Sequence, residues 1–107
     1  MGNKRIYINI INICTISKFE DELKKVSFER YNVLKQKIQE SLKGKGVLLY
    51  SPTPHSIYKV NNEYRINLFI KVSLKYTSAL KKIIREVYME KDIKNIKISI
   101  NIDTENV

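Results

Sequence analysis

The sequence predicts an α+β fold: a two-layer ferredoxin-like βαββαβ sandwich, with two helices on one face of an antiparallel sheet. Three observations carry that expectation. Tyr64, Ile66, Leu68, Ile70 and Val72 alternate with Arg65, Asn67, Phe69, Lys71 and Ser73, the period-two pattern of a half-buried strand. Tyr76, Leu80, Ile83, Ile84 and Val87 fall at spacings of 4, 3, 1 and 3, the stripe of an amphipathic helix. Along the chain the segments follow the order β-α-β-β-α-β, which a helix layer on an antiparallel sheet satisfies.

The first strand spans residues 5 to 16, rich in β-branched side chains. Ile6, Ile8 and Ile10 share one parity, and Ile11 and Ile13 take the other. Either both faces are partly covered, or a bulge at Ile10-Ile11 shifts the phase. Ser17 followed by Glu20 has the capping-box spacing that opens a helix. Phe19, Leu23 and Val26 hold one helical face, and Phe28, Tyr31, Leu34, Ile38 and Leu42 continue at helical spacing. The phase slips near Ser27, so the segment is one bent helix or two pieces. Gly44 and Gly46 stop it, with Lys43 and Lys45 suited to the negative end of the helix dipole.

A short apolar run, Val47 to Tyr50, meets the Pro52-x-Pro54 break. Each proline lacks an N–H donor, so this elbow cannot lie at a sheet centre. Ile57 to Val60 and the strand beginning near Tyr64 flank Asn61-Asn62, a pair suited to a tight turn. The last strand runs 96 to 102, with Ile96, Ile98, Ile100 and Ile102 inward and Lys97, Ser99 and Asn101 outward. Residues beyond Asp103 are expected to fray.

A length of 107 residues fits a single domain, 1–107. Cys14 is the one cysteine, which excludes an internal disulfide and leaves no Cys/His cluster for zinc. It is expected as a small core residue. No apolar run approaches the ~20 residues of a membrane span, and no secretory leader is recognisable. A cytoplasmic setting is therefore expected. Twenty Lys and Arg against 11 Asp and Glu give a net charge of +9, which favours an anionic partner, most often nucleic acid. The same balance arises where Lys simply fills solvent positions, so the charge is informative only if it gathers on one face.

Two segments carry a resemblance. Ser51-Pro52-Thr53-Pro54-His55-Ser56-Ile57, followed by Tyr64-Arg65-Ile66-Asn67-Leu68-Phe69-Ile70-Lys71, resembles the C-terminal domain of the primosomal replication-restart helicase PriA (primosomal protein N-prime). That family has Gly-Pro-x-Pro-x-Pro-Ile, a turn, and a Tyr-Arg-Trp-led strand of bulky aliphatics. Ser51, Ser56, Asn62 and Ile66 replace its first glycine, third proline, turn glycine and tryptophan. Ile98 to Thr104 is similar to the family's closing Val-x-Asp-Val-Asp-Pro, with Asn101 and Thr104 as departures. The match covers the second half of the chain; the first half matches by element order alone. The resemblance implies the same kind of fold and a DNA-binding role in DNA replication restart within the primosome. The ATPase and zinc-binding parts of that helicase are absent from this chain.

No catalytic set emerges, and no enzymatic activity, cofactor or metal is expected. His55 is the one histidine, on a proline loop, and no Gly-rich phosphate loop occurs. Two candidate sites remain. On the sheet face away from the helices, the parity reading places Tyr7, Asn9, Arg65, Asn67, Phe69, Lys71, Lys97 and Asn101. Of these, Tyr7, Arg65, Asn67, Phe69, Lys71 and Lys97 are the candidate nucleic-acid-binding residues. Tyr7 and Phe69 would be neighbours, able to stack on exposed bases while the cations hold phosphates. The bland alternative is a face that packs on another domain or a second copy. The second site is Lys75, Lys81, Lys82 and Arg85 on the second helix. The PriA resemblance implies that basic residues at this helix's start help hold the acidic tail of the single-stranded-DNA-binding protein; a solvated helix face is the alternative. The expected function is thus a non-catalytic domain binding single-stranded or forked DNA. The alternatives are a protein-interaction module for an acidic tail or another primosome component, or a small RNA-binding protein.

Overall fold

A computed structural model describes residues 7–43, 45–90 and 92–106. The predicted strand residues 5 and 6 and the helix-stopping Gly44 lie outside these. The elements are β1 (Tyr7–Ser17), α1 (Glu20–Leu42), β2 (Val47–Leu49), β3 (Thr53–Val60), β4 (Glu63–Ser73), α2 (Leu74–Tyr88) and β5 (Lys97–Asn106). The sheet order is β2-β4-β1-β5, with β3 also pairing β4, and every pairing is antiparallel. β2 and β3 together form one interrupted edge strand, so the chain has the predicted ferredoxin-like topology, with β1 and β4 in the middle. No described helix is long and apolar enough to cross a membrane.

The register of β1 against β4 runs unbroken from Ile8↔Ser73 to Ser17↔Tyr64. There is no bulge at Ile10-Ile11; both faces of β1 are partly covered instead. Ile11 and Ile13 face the helices, beside Leu68 and Ile70, and all four are buried with Leu34, Ile38, Leu80, Ile84 and Val87 in one core. Ile8, Ile10 and Ile16 lie half-buried on the other face.

α1 is a single helix. The apparent phase slip disappears because Ser27 itself belongs to the buried stripe Leu23, Ser27, Leu34 and Ile38. Its hydroxyl lies 2.8 Å from Thr15 Oγ1. Thr15 Oγ1 donates to the Ile66 carbonyl at 3.3 Å, so Ser27 is the donor to Thr15. A buried hydroxyl with a partner is tolerated where an orphan would be costly. Phe28, expected on the stripe, is exposed. Ser17 does not cap α1. Its hydroxyl accepts from the Phe19 amide at 3.0 Å, and Phe19 holds the N-cap position.

Lys43, in the left-handed region (φ 51°), ends α1. Gly46 also has a positive φ of 64°, and a Cβ there would come within 2.6 Å of both Ser73 Oγ and the Tyr76 ring. Gly46→Ala is therefore expected to lower stability by about 1–3 kcal/mol, measured as a drop in the urea midpoint. Asn61 and Asn62 both adopt positive φ, 51° and 63°, and close the β3–β4 hairpin as the sequence predicts.

α2 buries Leu80, Ile83, Ile84 and Val87 as expected, together with Thr77 and Tyr88. β5 extends past the expected boundary. Asp103, Thr104, Glu105 and Asn106 pair with β1 rather than fraying, and Thr104 Oγ1 donates to Asn9 Oδ1 at 2.7 Å.

Candidate nucleic-acid interface

The register fixes which side chains share the helix-free face. Across the sheet, Lys71 stands beside Leu48 and Ile10, with Asp103 beyond. Phe69 stands beside Asn12 and Asn101, Asn67 beside Cys14 and Ser99, and Arg65 beside Ile16 and Lys97. Five of the six predicted residues, Arg65, Asn67, Phe69, Lys71 and Lys97, are thus brought to one face.

Tyr7 is the exception. It has the parity of Asn9 and Ile11, so it takes the helix side, and it pairs with Asn106 one position beyond the β1–β4 ladder. Asn9 is likewise displaced: its Nδ2 donates to Thr77 Oγ1 of α2 at 2.8 Å. A one-residue change of parity moves a side chain to the opposite face, and isoleucines on both parities of β1 hide which one faces the helices.

The second aromatic on the platform is Tyr50. Its amide donates to the Phe69 carbonyl at 3.0 Å, continuing the β2–β4 ladder by one residue. Its ring takes the same face, because Lys71 Nζ lies 5.9 Å from its centroid. Phe69 and Tyr50 are 38% and 40% exposed, so both present usable ring area while remaining anchored. Extending the alternation of Val47 to Tyr50 to the edge of the sheet is the signal that would have found it.

The centre of the face is polar and incompletely bonded. Asn12 Oδ1, Asn67 Oδ1 and Arg65 Nε are buried without hydrogen-bond partners among the described residues. Native structures carry few such groups. Burial pushes the neighbouring Cys14 thiol above its ordinary value, partly opposed by the Arg65 charge. Cys14 is buried as expected, but between Asn67 and Ser99 on this face rather than under the helices.

Lys97 Nζ bonds Glu63 Oε2 at 3.0 Å, and this ammonium holds the Glu63 carboxyl below its ordinary value. At this end a cleft of about 390 Å³ opens between Lys97, Glu63, Asn95, Lys18 and Phe19. Phe19, expected on the apolar face of the first helix with Leu23 and Val26, is instead the N-cap residue and is exposed; Lys18 beside it carries no periodicity signal because it precedes the helix.

Charge is divided unevenly. The face carries Arg65, Lys71 and Lys97, opposed by Glu63, which pairs Lys97, and by Asp103 and Glu105 at the β5 corner. α2 carries Lys75, Lys81, Lys82 and Arg85 against Glu86 alone, and all four cations are exposed. The four cations of the second candidate site therefore share the exposed side of α2, on the side of the sheet opposite the platform. Glu86 is tied to Lys37 of α1 at 3.7 Å, and Lys75 Nζ lies 5.6 Å from the Tyr76 ring.

His55, expected on a proline loop, lies within β3, and its Nδ1 accepts the Ile57 amide at 3.0 Å. Among the described residues no group of three His, Cys, Asp or Glu side chains is placed to hold a metal ion.

Comparison with known proteins bears on the architecture. The chain is similar to two solved structures of de novo designed proteins. Foldit4 superposes with a TM-score of 0.59 at 18% identity, over 92% of this chain and 98% of that one. LFR1 1, described as having a ferredoxin fold, superposes with a TM-score of 0.58 at 12% identity, over 92% and 86%. The fold is ferredoxin-like. At these identities the likeness extends to the fold alone, since one fold hosts many functions. No family model and no curated protein matches the chain.

Proposed function

We propose that the chain is a non-catalytic domain that binds single-stranded nucleic acid on its helix-free sheet face. The observation that carries this reading is the pairing of two half-exposed aromatics, Phe69 and Tyr50, with Lys71 and Arg65 on one open face. Aromatic rings stack on any base, and flanking cations neutralise the backbone. Asn12, Asn67 and Arg65 also carry polar atoms on this side of the sheet without hydrogen-bond partners among the described residues. The resemblance at Ser51–Ile57 and Tyr64–Lys71 supports the narrower form of the proposal: DNA at a stalled fork, in replication restart, within the cytoplasm. Titration of a fluorescent oligonucleotide at increasing salt tests it. The logarithm of the association constant should fall with a slope of about −0.7 per contacted phosphate. A slope near zero, or no binding at low salt, counts against it.

The exposed cations of α2 favour a second reading, in which that helix holds an acidic peptide such as the tail of the single-stranded-DNA-binding protein. Lys81→Glu with Lys82→Glu is expected to weaken acidic-peptide binding on the order of tenfold at low salt, with an unchanged circular dichroism spectrum. Unaltered peptide affinity removes α2 from the partner site.

A further inference from the structure

The two edges of the sheet are built differently. The β2/β3 edge is interrupted at Pro52, includes Pro54, and has an irregular register between Pro54 and Lys59. Prolines, breaks and irregularities are among the devices that keep an edge from pairing with another chain. β5 has none of them. It is ten residues long, with an unbroken register against β1 from Lys97 to Asn106, and no described strand pairs with its other edge.

The helices pack mainly over β4 and β1, leaving β5 only partly covered. Ile98 and Ile100 are half-buried, and Ile102 is 39% exposed. The strand is also self-complementary. When two copies run antiparallel about a two-fold axis at Ile100, the residues facing each other sum to twice that number. Ile98 then faces Ile102 of the partner subunit, Ile100 faces its own copy, and Lys97 faces Asp103 of the partner subunit. All three isoleucines meet isoleucines on the helix side, and opposite charges meet on the other. With Lys97, Asp103 and Glu105 as its charged residues, β5 is a mildly acidic segment in a chain of net charge +9, so this edge escapes the repulsion that two such chains feel elsewhere.

We infer that β5 is the pairing edge of a homodimer, joining two copies into one continuous antiparallel sheet with the isoleucine rows in contact. The two open faces then form a single extended platform.

Sedimentation equilibrium of the full chain, over tens to hundreds of micromolar, tests this. The wild type should show the mass of two chains. Ser99→Lys with Asn101→Lys places four lysines around the axis on exposed positions, and should give a folded monomer by circular dichroism. Asp103→Lys alone should raise the dimer dissociation constant on the order of tenfold by opposing like charges. Adding Lys97→Asp to it should restore association. Hydrogen exchange gives an independent reading: alternate β5 amides should become protected as wild-type concentration rises. A wild-type monomer throughout the range overturns the inference. So does a dimer that survives the lysine pair, or β5 exchange independent of concentration.

Discussion

Leu68→Ala is expected to destabilise the protein by about 2–5 kcal/mol, the cost of a large-to-small change in a closed core. Leu68 is 4% exposed and sits among Ile13, Ile70, Leu80 and Ile84 in the core between sheet and helices. The cavity left by the truncation is bordered by the two central strands, which neighbouring backbone cannot readily collapse to fill. The loss should appear as a lower urea midpoint with an unchanged m-value. Phe69→Ala, one residue along, should cost about 1 kcal/mol or less, because its ring lies on the open face. Adjacent residues with such different costs are a direct readout of strand parity. Equal costs would mean that the open face is covered.

Phe69→Ala combined with Tyr50→Ala should weaken single-stranded oligonucleotide binding by about 2–6 kcal/mol, taking ~1–3 kcal/mol for each stacked base. The two rings lie on neighbouring strands joined through the Tyr50 amide and Phe69 carbonyl, so successive bases can use them in turn. Arg65→Ala should act differently. Its contribution is ionic, so its effect should be larger at low salt than at high salt. A double aromatic variant that stays folded and binds as tightly as the wild type would assign this face to protein contact instead.

Much of this arrangement is legible in the residues. The alternation from Tyr64 to Ser73 fixes both faces of β4, and with them Arg65, Asn67, Phe69 and Lys71. The α2 stripe fixes which of its side chains are exposed. Legibility fails where residue type and position disagree. Ser27 is polar yet buried, with Thr15 as its partner, so the apolar phase of one continuous helix breaks at that residue. Tyr7 was assigned to the wrong face because β1 is apolar on both parities, so only its register with β4 decides. Tyr50 ends an apolar run too short to show which of its residues face the helices, so its face is decided only by its pairing with Phe69 of β4. The Asp103–Asn106 segment has low strand propensity, but pairing with β1 and the Thr104–Asn9 hydrogen bond override it.

The basic balance is the feature whose meaning changes most with the structure. The cations do not gather on the platform; α2 holds the denser cluster. Net charge alone therefore does not choose between the two faces, and the choice rests on the aromatic pair.

The most direct measurement is to follow backbone amide NMR shifts while a short single-stranded oligonucleotide is added at low salt. Binding on the platform predicts the largest changes at Asn12, Tyr50, Arg65, Phe69 and Lys71, with small changes along the exposed side of α2. Changes confined to Lys75, Lys81, Lys82 and Arg85, or no changes at any site, would contradict it.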